Sequence, residues 1–131
     1  MVKAYSLDEL RRVFRNAAGK NCKKYFEKRE NGICFIFNRQ SFNKIGCDKS
    51  INNSRVRGFT PIEHFKAAEK IKDYFELSEV VAQWNKKKKA RTETNFLCRC
   101  KIRDDCYVWM RVTTWGKDEG YIDMYLSKDG E

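Results

Sequence analysis

Between Arg91 and Ser127 apolar and polar residues alternate through three segments separated by short polar turns. In the first, Thr92, Thr94, Phe96, Cys98, Cys100 and Ile102 alternate with Arg91, Glu93, Asn95, Leu97, Arg99, Lys101 and Arg103. A period of two with one apolar and one charged face predicts a strand on a half-buried sheet. Asp104-Asp105 is a two-residue turn, because aspartate tolerates left-handed backbone better than most residues. The second segment sets Cys106, Val108, Met110 and Val112 against Tyr107, Trp109, Arg111 and Trp115. Gly116 to Gly120 supplies another reversal, and Ile122, Met124 and Leu126 then oppose Tyr121, Asp123 and Tyr125. Three such segments with short turns predict an antiparallel meander whose even positions face the core.

The upstream half mixes helical and hairpin signals. Ser6 and Glu9 have capping-box spacing, Leu7, Leu10, Phe14 and Ala17 share a stripe, and Gly19 closes a helix over 6–18. Arg11, Arg12 and Arg15 lie mostly on its other side, as solvated charges. Glu30-Asn31-Gly32 between two β-prone runs predicts a hairpin, whose second strand, Ile33 to Phe37, is apolar on both faces. Residues 38–58 read as a polar loop anchored by Phe42 and Ile45, with Ser41 capping a short helical turn. Thr60, Pro61 and Glu63 combine three helix-start signals. His64, Ala68, Ile71 and Phe75 follow one face of that helix, flanked by Phe65. A short strand around Val80-Val81-Ala82 and a basic loop, Lys86-Lys87-Lys88-Lys89, lead into the meander. The fold expected is α+β and a single domain over 1–131: an N-terminal helix and hairpin, and a central helix packed on a C-terminal antiparallel meander.

Charge changes the picture. The chain has 28 basic and 18 acidic residues among 131, a net charge of +10, which attracts polyanions, nucleic acid first. Arg39, Lys44, Lys49, Arg55 and Arg57 make the 38–58 stretch basic, which fits phosphate contact or plain solubility. Cysteines at 22, 34, 47, 98, 100 and 106 include no CxxC pair, and His64 is the sole histidine, so neither a zinc set nor a cofactor is expected. Cys98, Cys100 and Cys106 occupy core-facing positions, where reduced cysteine acts as a small hydrophobe. Residues 1–6 contain no apolar leader and no run reaches membrane-spanning length, so a reducing cytoplasm is the expected compartment. His64, at a helix's first turn, reads as structural, and the positive end of the helix dipole disfavours its protonation.

The odd face of the meander holds the candidate chemistry. Tyr107, Trp109, Trp115, Tyr121 and Tyr125 would stand there among Arg99, Lys101, Arg103 and Arg111. Aromatic rings are stacking platforms and arginines are bidentate phosphate donors. The lysines at 86–89, with Arg91, would hold a nucleic-acid backbone through charge. Two arrangements are open: a face free to bind, or one covered by a second layer such as the hairpin.

The run Ile36-Phe37-Asn38-Arg39-Gln40-Ser41-Phe42, then Gly58-Phe59-Thr60-Pro61-Ile62-Glu63-His64-Phe65, and then Tyr74-Phe75-Glu76 before three strands, resembles a domain of large polyvalent proteins from phages and conjugative elements. The resemblance spans about Phe35 to Leu126 and implies a mobile-element origin, hence the cytoplasm of a host cell. Where that family often has His-Arg-Phe on its first meander strand, this chain has Asn95-Phe96-Leu97-Cys98-Arg99. Helices followed by a meander are also similar, more loosely, to the barnase–EndoU–colicin–RelE class of metal-independent ribonucleases. That similarity implies Arg99, Lys101 and Arg111 stabilising phosphate charge and Tyr121 or Tyr125 moving a proton, so Arg99, Arg111, Tyr121 and Tyr125 are the candidate catalytic set. A Glu–His pair of the barnase type cannot be assigned. The function expected is RNA binding, with metal-independent cleavage as the activity the face could carry. The rival expectation is a non-enzymatic, anti-CRISPR-like inhibitor that binds a host defence protein or ribonucleoprotein. Trp, Tyr and Arg also anchor protein interfaces, so composition does not separate the two, and the oligomeric state stays open.

Overall fold

The structure, a computed structural model, describes residues 6–89 and 91–129; most of the stretch in which no leader is expected, residues 1–5, lies outside them. Helix α1 (Leu7–Ala18) starts where Ser6 Oγ accepts the Glu9 N–H at 3.1 Å and ends at Gly19. A hairpin follows, β1 (Tyr25–Lys28) and β2 (Ile33–Ile36), joined by one tight helical turn over Arg29–Asn31 and by Gly32 at φ 70°. Helices α2 (Arg39–Ile45), α3 (Asp48–Arg55), α4 (Pro61–Glu69) and α5 (Ile71–Leu77) precede the sheet. The sheet is β3 (Glu79–Lys88), β4 (Arg91–Arg103), β5 (Cys106–Trp115) and β6 (Glu119–Ser127), antiparallel and in that order. This is the α+β arrangement the alternation implies.

The even face of the meander is the floor of the core. Phe96, Cys98, Val108, Met110, Val112, Ile122, Met124 and Leu126 are all buried there. The hairpin packs on this face, with Phe26, Phe35 and Phe37 around Phe75 of α5. Phe37 also meets Phe42 edge-on, which joins this cluster to Phe14 and Phe65 of α1 and α4. Gly120 permits the approach: a Cβ there would lie 2.5 Å from the Thr113 carbonyl and 3.1 Å from Phe35 Cβ.

Four details depart from the sequence reading. The 38–58 stretch is two helices, with Asn38 rather than Ser41 as the cap of α2. The predicted central helix is two, meeting at Lys70, although His64, Ala68, Ile71 and Phe75 remain fully buried across the break. The capping box on Thr60 and Glu63 forms as its spacing requires. Lys86, Lys87 and Lys88 belong to strand β3, and only Lys89 turns away, at φ 49°. Arg11 is no free surface charge: it donates to the Gly46 carbonyl at 2.7 Å and to Asp48 at 2.6 Å, tying α1 to the α2–α3 junction.

The two edges of the sheet are treated oppositely. On β6 the backbone N–H of Ile122 donates to Ser41 Oγ, that of Met124 to Asp123 Oδ1 and that of Leu126 to Ser54 Oγ. Small polar residues of α2 and α3 therefore seal an edge that would otherwise expose a ladder. On β3 every residue from Val81 to Lys88 is exposed. This edge is open.

Candidate nucleic-acid interface

The strand register places the outer-face residues in rows. Glu79, Arg99, Trp109 and Tyr125 form one row, Ala82, Leu97, Arg111 and Asp123 the next, and Trp84, Asn95, Thr113 and Tyr121 a third. Lys101, Tyr107 and Ser127 lie beyond the first, and Lys86 with Glu93 beyond the third. The hairpin and α5 lie on the even side; what reaches onto this face comes from the β6 edge, where Lys44, Ser50 and Arg57 of the α2–α3 stretch meet Tyr121, Asp123 and Tyr125. The question the sequence left open is decided by where Phe26, Phe35 and Phe37 bury.

Rings and cations interleave across it. Arg91 lies 3.8 Å over the Trp115 ring, Arg57 4.5 Å over Tyr125, Lys44 5.0 Å over Tyr121, Arg111 5.7 Å from Trp84 and Arg99 5.9 Å from Trp109. Trp115 and Tyr121 also meet at 5.8 Å. Arg91 donates through Nε and Nη2 to Glu93 Oε2, at 3.2 and 2.9 Å; Arg99 pairs with Glu79 and Lys101 with Asp104. Arg111 is exposed, directly across from Asp123 and diagonal to both Tyr121 and Tyr125. Of the candidate catalytic set, Tyr121, Tyr125 and Arg99 are thus all diagonal to Arg111, the tyrosines on the β6 side and Arg99 on the β4 side.

Two predicted residues are not presented on the outer surface, one because it leaves the face and one because it is buried on it. A register shift after Lys101 pairs Arg103 with Cys106 and turns it to the helix side, where it reaches Glu63 of α4 at 3.6 Å. Trp109 is on the predicted face but only 3% exposed, stacked on Tyr125 at 6.5 Å, with its Nε1–H donating to the Asp129 carbonyl at 3.0 Å. The segment after β6, not a second layer, closes over it. Trp109→Ala is therefore expected to lower the unfolding free energy by about 3–5 kcal/mol, whereas Trp109→Phe loses about 1 kcal/mol for the hydrogen bond; urea unfolding of both variants checks this. Three contributors escape the alternation altogether. Trp84, on β3, lies outside the meander repeat, and Lys44 and Arg57 come from the helical stretch that reads as a loop. Only their basic character signalled the last two.

Asp123 is a half-buried carboxyl of this face, on its edge strand β6. Burial pushes its pKa above the ordinary carboxylate value, against hydrogen bonds from Ser50 and the Met124 N–H and the charges of Lys44 and Arg111. Ser50 Oγ touches both Asp123 Oδ1 and the Lys44 carbonyl, the latter at 2.8 Å.

His64 belongs to another place and another task. Its Nε2 is 2.8 Å from the Ile45 carbonyl, which can only accept, so Nε2 carries the proton and Nδ1 accepts from Ser54 Oγ at 2.7 Å. Ser54 and His64 are both fully buried, so this serine–histidine pair meets no substrate. It fastens α2, α3, α4 and β6 together. Burial lowers the His64 pKa and outweighs the carbonyl, which raises it. Among the described residues no cluster of His, Cys, Asp or Glu is arranged to hold a metal ion, and no helix is long and apolar enough to cross a membrane.

No family model, curated protein or solved structure matches this chain.

Proposed function

We propose that this protein binds single-stranded nucleic acid across the outer face of the β3–β6 sheet, RNA being the ligand its sequence points to. One observation carries the reading: Trp84, Tyr107, Trp115, Tyr121 and Tyr125 stand at least partly accessible on the face away from the hairpin, interleaved with Arg111, Lys101, Lys44 and Arg57. The cations now resting on rings are not an obstacle. A cation–π contact at an exposed site is worth about 0.5–1 kcal/mol, whereas a base stacked on an aromatic ring is worth about 1–3 kcal/mol. A strand can therefore displace arginine from ring to phosphate at a net gain.

Metal-independent cleavage is a second activity of the same face, favoured by the position of Arg111 diagonal to two phenols. RNA cleavage needs the 2′-hydroxyl activated, the phosphate charge stabilised and the leaving oxygen protonated. Arg111 would supply the second, and Tyr121 and Tyr125 are the groups nearest to supply the others.

The test is incubation with labelled single-stranded RNA, and DNA of the same sequence, in EDTA across a salt series. Binding should weaken linearly on a log–log salt plot, by about 0.7 per phosphate contact. Arg111→Ala should weaken it roughly tenfold with unchanged unfolding, because Arg111 is exposed. Cleavage abolished in Arg111→Ala adds the ribonuclease activity; equal affinity for DNA makes the ligand a generic single strand. No binding at low salt overturns the reading and leaves the inhibitor of a host defence complex, to be pursued through its protein partner.

A further inference from the structure

Strands β3 and β4 continue past the rest of the sheet. β4 begins at Arg91, three residues before its first pairing with β5 at Thr94, and its pairing with β3 runs out to Lys88 opposite Arg91. Lys86 to Lys89, with Arg91 and Thr92, are all exposed. The end of the sheet is thus a two-stranded ribbon with solvent on both faces and along one edge. Its cations are on both sides: Lys86, Lys88 and Arg91 continue the outer face, while Lys87 shares the opposite face with Thr92, and Lys89 turns at the tip. Arg91 is held by Glu93, but among the described residues no carboxylate lies within ion-pair distance of Lys86, Lys87, Lys88 or Lys89.

Lysines on a free edge ordinarily discourage strand-to-strand association. That role needs one or two along the edge; it does not require four unpaired in succession on both faces of a projecting end. A flat sheet surface meets the phosphates of one strand. A ribbon charged on both faces meets phosphates on two sides, as the wide and shallow minor groove of an RNA duplex presents them. On the outer side Lys86 and Lys88 also continue along β3 from Trp84, so a strand leaving the aromatic surface runs directly onto the ribbon.

We infer that the ribbon end straddles the two phosphate walls of a short duplex, so that the preferred ligand is a junction at which a single strand on the outer face continues into a base-paired stem. The inference rests on the single-strand reading above. The two parts separate in an anisotropy titration with three labelled RNAs: a single strand, a blunt hairpin, and the hairpin carrying that strand as an overhang at either end. Because the second contact is intramolecular, the overhang hairpin should bind at least about tenfold tighter than either part. Lys87→Glu/Lys89→Glu, both exposed positions, should weaken the overhang hairpin at least about tenfold more than the single strand and so abolish that advantage. The salt slope for the overhang hairpin should drop by about one to two. Equal wild-type affinity for the single strand and the overhang hairpin overturns the junction and leaves the single-strand reading standing. An equal loss on all three ligands also overturns it, since the ribbon would then be a general source of charge. Failure to bind any of them overturns both.

Discussion

Phe75→Ala lowers the unfolding free energy by about 3–5 kcal/mol, the cost of removing a fully buried aromatic ring. Phe75 is fully buried, with ring centroids 5.6 Å from Phe26 and 6.0 Å from Phe35, and it holds α5 and the hairpin against the even face of the sheet. The space left behind does not collapse easily, because its walls are rings fixed by one another and by the sheet. The loss extends to a cation. Lys28 is only 6% exposed; its Nζ lies 5.8 Å from the Phe75 centroid and donates to the Glu76 carbonyl at 3.2 Å. Phe75→Leu keeps most of the volume and should lose less than half as much. Urea unfolding is the measurement, and a lower midpoint at constant m-value is the expected form. A loss under about 1 kcal/mol for Phe75→Ala would show that the hairpin does not depend on α5 for its position.

Ser54→Ala should lower the unfolding free energy by about 2–4 kcal/mol, out of proportion to the removal of one oxygen, because it leaves two buried groups unpaired. The Leu126 N–H loses its acceptor and His64 Nδ1 its donor, in a place with no room for solvent. The same network sets a pH dependence. Burial holds the folded His64 pKa below its ordinary 6.5, so between the two values the unfolded chain binds more protons than the folded one. Stability from this group is complete above pH 6.5 and is lost as pH falls through the folded value. Asp123 acts in the opposite sense and lower on the scale, since its raised pKa makes the folded chain the stronger proton binder there. At the alkaline end, burial takes the Cys98 thiol from 9.0 to about 11, so stability falls as pH rises above 9.0 and the unfolded thiol ionises. The interval from about pH 7.5 to 5.5 therefore reports His64. Its slope should vanish in His64→Gln, whose amide can still donate to Ile45 and accept from Ser54. A slope that survives the substitution would assign the acid loss to another group.

The alternation over 91–127 specified three strands and their core face without help, because a period-two pattern admits one register before a whole face is turned out. The Thr60–Pro61–Glu63 start and the Ser6 cap were equally legible, since a cap is decided by residues within one turn of it. The candidate rings were legible too, as positions on a face. What the sequence could not decide was what that face meets. β2 is apolar on both sides, so either side of the sheet would have accepted it; the packing of Phe26, Phe35 and Phe37 around Phe75 made the choice and left the rings on the face away from the hairpin. Ser41, Ser50 and Ser54 read locally as residues of a polar stretch, yet they lie on the buried sides of two helices because β6 has N–H groups and a carboxyl that need them. A bulge turned Arg103 to the helix side, and the segment ending at Asp129 closed over Trp109. Local pattern determined which residues share a face, because strand geometry is local; the packing of distant segments determined which rings stayed open, because burial depends on partners that sequence spacing does not name.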